Sequence, residues 1–129
     1  YTIYILGGPE DSGACATIVA ASGRQNIQNV AGQLSFLESA ALMQGAAMNY
    51  VNDSAPMHLA SAVNAPVTAV FCSTVPIFGF TPLSKQSRII ETQVPLSCRP
   101  CGLHGRSCCP KGHFACAETI TGYQFQLPD

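Results

Sequence analysis

The sequence predicts an α/β fold built on a parallel sheet, closed by a Cys-rich, loop-dominated tail. Three observations predict it. Short β-type runs alternate with helix-type runs through the first two-thirds of the chain, the runs are joined by short connections as βα units usually are, and after Ser73 the prolines at 76, 82, 95, 100 and 110 interrupt every period.

The first element is Tyr1–Leu6, a β-branched and aromatic run stopped by Gly7-Gly8-Pro9, which reads as a buried strand. A helix over 12–21 follows, with Ala14, Cys15, Ile18 and Val19 on one face and Gly23 as its stop. Ile27–Val30 is the second strand candidate. Ser35 and Glu38 then form a capping box in which each side chain can satisfy a free backbone N–H, and the helix they open should reach Gln44, with Gly45 behind it. Ala47–Val51 is the third strand, a further helix starts at Asp53 or Ser54, and Val67–Cys72 is the fourth strand. Beyond it only Arg88–Glu91 reads as a strand. The chain reads as a single domain over 1–129, of which 95–129 is the Cys-rich tail.

At 129 residues the chain can bury roughly two-thirds of the surface that its unfolded form exposes. With 47% apolar and 10% charged residues it is not a disordered segment, and its apolar runs break before the ~18 residues of a membrane span. A net charge of −1 with six Lys and Arg provides no basic face for a nucleic acid. Nothing resembles a cleaved signal peptide, and five of the seven Cys crowd into 98–116 rather than spreading as in a secreted disulfide scaffold. The expectation is a reducing, cytoplasmic setting and an N-terminus cut from something longer.

The stretch Asn52-Asp53-Ser54-Ala55-Pro56-Met57-His58 holds the chemistry. Asp53 or Ser54 suits an N-cap, and Pro56 in the first turn lacks an N–H that would be unpaired anyway. In an open parallel sheet, ligands collect where helices begin after the carboxyl ends of strands. Small residues leave this backbone approachable, so the free N–H groups and the positive end of the helix dipole suit a phosphate or pyrophosphate. His58 lies about one turn in, where it can add a donor. A plain helix cap is the competing reading. Gly7-Gly8-Pro9-Glu10-Asp11 offers paired carboxylates at the end of another strand, placed as an acidic ribose-binding residue would be, though alone it reads as a polar turn.

The order I-L-G-G-P-E-D, N-V-A-G-Q-L-S-F-L-E, V-N-D-S-A-P-M-H-L-A-S-A-V-N-A-P-V, V-F and C-R-P-C resembles the carboxyl-terminal half of the heptosyltransferase-like glycosyltransferases, family 9. The resemblance implies a Rossmann-like donor-nucleotide-binding domain, half of a GT-B fold and truncated at its N-terminus. It implies that Asp53, Ser54, Ala55, Met57 and His58 meet the donor diphosphate, that Asp11 or Glu10 takes the ribose hydroxyls, and that the backbone around Leu34 lies against the base. The donor it implies is a nucleoside-diphosphate sugar, ADP-heptose favoured, and the acceptor is the lipopolysaccharide core or a similar lipid-linked saccharide. The catalytic base and a basic phosphate-contacting residue are expected outside these residues, so the fragment alone should be inactive. The full protein is expected at the inner face of the bacterial inner membrane, peripherally associated, and its chemistry needs no metal. Ala55 stands where the family usually has Gly, and Phe71-Cys72-Ser73-Thr74 where it commonly shows Phe-Gly-Pro/Ser-Thr.

Cys98-x-x-Cys101, Cys108-Cys109 and Cys116 have the residue types of a structural zinc site, with Cys98, Cys101, Cys108 or Cys109, and Cys116 as the candidate set. Free or packed thiols are the alternative. Arg99, between the first two Cys, could lower a thiolate pKa, but the motif opens no helix as a redox site would. A second functional class fits the same residues: a non-catalytic nucleotide- or phosphate-binding module, or a zinc-stabilised interaction domain.

Overall fold

The computed structural model describes residues 1–128. They fall into two compact units, Tyr1–Ser39 and the residues from Ala40 onward. Five parallel strands form two separate hydrogen-bonded sheets, one in each unit.

In the first unit β1 (Ile3–Ile5) pairs with β2 (Ile27–Asn29), Ile3 opposite Ile27 and Ile5 opposite Asn29. A 3-10 turn at Pro9–Asp11 leads into α1 (Ser12–Ser22), which ends at Gly23 with φ 62°. Of the apolar face expected on this helix only Cys15 is buried, and Ile18 keeps 56% of its surface exposed. A two-stranded sheet offers α1 little to cover. The loops after β1 and β2 touch: the Gly32 N–H donates to the Gly7 carbonyl at 2.9 Å. Gly32 has φ 73°, and a Cβ there would lie 2.7 Å from Pro9 Cα, so this approach requires glycine.

In the second unit β3 (Asn49–Asn52), β4 (Val67–Phe71) and β5 (Ser87–Glu91) lie in the order β3-β4-β5, all parallel. The central strand explains the apolar run: Val67, Thr68, Ala69 and Phe71 are all buried. β3 begins two residues later than the sequence suggested, because the Asn49 side-chain amide donates to the carbonyls of Met43 (3.0 Å) and Pro66 (2.9 Å) and pins the strand start there. The helix α2 (Phe36–Gln44) contains the division between the units, and α3 (Ala55–Ala62) follows β3. Met43, Ala60, Ala65 and Val67 make one core cluster, and Met57, Ala69 and Phe71 a second, with Val51 packed on both. Burying Phe71 and Met57 contributes about 1.5–3 kcal/mol each.

The chain after β4 is less irregular than the prolines implied. It carries 3-10 turns at Pro76–Phe78 and Gly122–Gln124 and a short helix, α4 (Ala115–Glu118), which periodicity cannot reveal in four residues. Its end is tied to the sheet, where Gln124 donates to the Glu91 carbonyl at 2.9 Å and the Phe125 ring lies 5.8 Å from that of Tyr50. Among the described residues no helix is long and apolar enough to cross a membrane.

Candidate functional site at the start of the third helix

The carboxyl end of β3 delivers Asp53 and Ser54 directly to the first turn of α3. Ser54 is the N-cap residue, with extended backbone (φ −144°, ψ −172°), yet its side chain makes no cap hydrogen bond. Its hydroxyl instead bonds Asn52 Oδ1 at 2.6 Å. The Asp53 carboxylate is also turned away from the helix and accepts a hydrogen bond from the buried Thr74 hydroxyl. Both residues that could cap α3 are therefore engaged elsewhere. Pro56 contributes no N–H, and the Met57 N–H closes a turn on the Ser54 carbonyl at 3.0 Å. The Ser54 N–H is likewise taken, by the Asn52 carbonyl at 2.8 Å, so the first turn lacks a side-chain cap and keeps the Ala55 N–H as its remaining donor, while the helix is held from beneath. Met57, with no exposed surface, packs on Ala69 and Phe71, so its side chain serves the core and only its backbone faces the turn. Ala55 and His58 are exposed.

The other expected site residues lie in the first unit. The exposed Asp11 carboxylate accepts the Gly8 N–H at 2.9 Å, which fixes the turn after β1, and Glu10 is exposed beside it. Leu34 is half-buried in the loop after β2, which is shaped by Asn29: its side chain donates to the Ser12 carbonyl and accepts the Ala31 N–H, each at 3.0 Å.

Two residues at the second-unit site were not anticipated. Thr74 was visible only as part of a variant loop after β4. Arg99 was read as a neighbour of cysteines, but its guanidinium pairs with Glu91 at 2.7 Å and donates to backbone carbonyls beyond β4. Neither link has a local sequence signal.

The cysteines occupy varied settings. A cavity of about 240 Å³ is lined by Cys98, Cys101, Cys109 and Cys116 together with His113, whereas Cys108 is exposed. Among the described residues no three Cys, His, Asp or Glu side chains converge so as to hold a metal ion. Burial pushes the thiols of Cys72 and Cys116 up from their ordinary values, while backbone N–H groups, that of Phe114 foremost, lower Cys109. All seven cysteines are free thiols.

A parallel α/β sheet with an uncapped helix start at its carboxyl edge defines a Rossmann-like fold of the kind found in GT-B glycosyltransferases. The model of glycosyltransferase family 9 (heptosyltransferase) matches residues 1–107, and the chain belongs to that family. It is 37% identical over 81 residues to lipopolysaccharide heptosyltransferase 3 of Escherichia coli, a match covering 60% of this chain and 24% of that protein. It is 30% identical over 94 residues to lipopolysaccharide heptosyltransferase 2 of Escherichia coli strain K12, covering 70% and 27%. Among solved structures, E. coli ADP-heptose lipopolysaccharide heptosyltransferase II aligns with a TM-score of 0.67 at 28% identity, over 74% of this chain and 29% of that one. The chain thus spans about a quarter of the length of the curated relatives it matches.

Proposed function

We propose that residues 1–129 are the donor-nucleotide-binding part of a glycosyltransferase that transfers heptose or a related sugar from a nucleoside diphosphate, ADP favoured, to the lipopolysaccharide core or a similar lipid-linked saccharide. One observation carries this reading: α3 begins at the carboxyl edge of the sheet with both of its natural caps drawn away. A helix end left in that state offers the Ala55 N–H and a positive dipole to an anion. The diphosphate meets the backbone at Asp53, Ser54 and Ala55, with His58 one turn further on. As the bond from sugar to phosphate breaks, negative charge grows on the leaving diphosphate, and fixed N–H donors stabilise that charge. The acceptor hydroxyl attacks the anomeric carbon and passes its proton to a base outside these residues. Glu10, Asp11 and the backbone near Leu34 are assigned to the ribose and the base by the family resemblance. Two of the relatives are named as lipopolysaccharide enzymes, which favours that acceptor and a place at the inner face of the bacterial inner membrane.

The test is titration of the protein with ADP, UDP, GDP and an ADP-sugar, following backbone amides by NMR. Saturable shifts at Asp53, Ser54 and Ala55, strongest with one base, are the expected result. Glu10, Asp11 and Leu34 are read in the same spectra. A folded full-length protein whose α3 start ignores every nucleotide sinks the proposal and leaves a well-packed helix.

A further inference from the structure

The four carbonyls of residues 71–74, from the last residue of β4 onward, all accept hydrogen bonds from two residues of the tail. Arg99 Nε donates to Cys72 O at 2.7 Å, and its Nη2 reaches Thr74 O at 2.8 Å and Phe71 O at 3.3 Å. The Cys101 N–H takes the one between them, Ser73 O, at 2.8 Å. Gly105 presses on the same segment: it has φ 74°, and a Cβ there would stand 2.7 Å from Ser73 Oγ. The Arg99 side chain is only 11% exposed and its charge is matched by Glu91 at the end of β5. A planar guanidinium can serve several acceptors fixed in space at once, which an ammonium on a flexible stem cannot.

The segment clamped in this way carries Thr74, and Thr74 holds Asp53. Asp53 stands one residue before the N-cap Ser54, so a carboxylate released from Thr74 would be free to swing over the first turn of α3. It would also place a negative charge where an anionic ligand must sit. We propose that Arg99 is a positioning residue for the donor site: by fixing the backbone over 71–74 it sets Thr74 to restrain the Asp53 carboxylate, and so keeps the start of α3 open to a diphosphate. The inference rests on the donor-site reading and adds to it a device that keeps the helix uncapped. The Cys-rich tail thereby acts on the nucleotide although none of its residues needs to touch it.

The experiment uses the full-length enzyme with ADP as probe, and compares wild type with Thr74→Val, Thr74→Ser and Arg99→Lys by calorimetry and by donor kinetics. Thr74→Val leaves every Arg99 hydrogen bond in place and removes only the hydroxyl, so it carries the test even if Arg99→Lys fails to fold. The expected result is an ADP Kd raised about tenfold in Thr74→Val, the size of one lost hydrogen bond, with a matching rise in donor KM and kcat much less affected. Thr74→Ser restores wild-type affinity, and a folded Arg99→Lys behaves like Thr74→Val. Loss of stability alone would not produce this split between KM and kcat, nor its rescue by Ser. Wild-type binding that survives unchanged in Thr74→Val overturns the positioning role and leaves the donor site standing. A folded wild-type enzyme that binds no nucleoside diphosphate overturns both.

Discussion

Two helix starts in this chain look alike in sequence and are built in opposite ways. At α2, Ser35 and Glu38 close on each other: the Ser35 N–H donates to Glu38 Oε2 at 2.8 Å, and the Glu38 N–H to Ser35 Oγ at 3.3 Å. The first-turn residues Phe36 and Leu37 are 74% and 84% exposed, so this helix end is secured by its cap. At α3, Ser54 and Asp53 face other partners, and the end is secured by Met57 and Ala60, both fully buried. A helix anchored by packing does not need a side-chain cap. That is why the first turn of α3 can do without one.

The largest effect expected from this contrast is on stability. Met57→Ala should cost about 2–5 kcal/mol in denaturant unfolding, and Leu37→Ala no more than about 0.5 kcal/mol. Equal costs would remove the distinction between a packed and a capped start. A smaller effect separates the two serines. Ser35→Ala should lose about 1 kcal/mol, while Ser54→Ala loses a few tenths, since its hydroxyl makes no cap bond. The pH dependence sharpens this. The Ser35 backbone N–H, then its hydroxyl, hold the Glu38 carboxyl below its ordinary value of 4.5. A carboxylate with a depressed folded pKa stabilises the protein above its unfolded pKa, and that contribution fades as pH falls through the folded value. Unfolding measured from pH 7 to below 4.5 should therefore show the advantage of wild type over Glu38→Gln shrinking in acid. The smallest effect concerns the tail. Its contacts to the β4 loop are supplied by Arg99 and Cys101, so EDTA should leave Tm unchanged; a clear fall with release of zinc would establish the set of Cys98, Cys101, Cys108 or Cys109, and Cys116 as ligands.

What the sequence made legible follows the range of each interaction. The Ser35–Glu38 box joins residues three apart, and the central strand is a local run of buried apolar residues, so both can be read directly. The start of α3 was legible as a helix end and as a candidate ligand site. Its decisive feature, that its caps are disarmed, was not, because Thr74 is 21 positions from Asp53 and Arg99 is 25 from Thr74. The tail shows the same limit: its dense cysteines draw the eye to a metal, while the part that Arg99 plays in fastening it to the strand ends has no local signal. On α1 the periodic face was correctly placed in a helix but is buried only at Cys15, since periodicity reports a face without saying what covers it.

The spacing of the Arg99 clamp also sets an order of assembly. Contacts between distant positions form only after the intervening chain is available, and they demand that a long loop be closed first. During synthesis the α3 turn and the four carbonyls of 71–74 emerge before their partners do, and those carbonyls are bonded to water until Arg99 and Cys101 emerge in turn. A nascent chain halted ahead of the tail therefore carries α3 without the fastening that fixes the segment 71–74 beside it, and that order arrives late, with the cysteines.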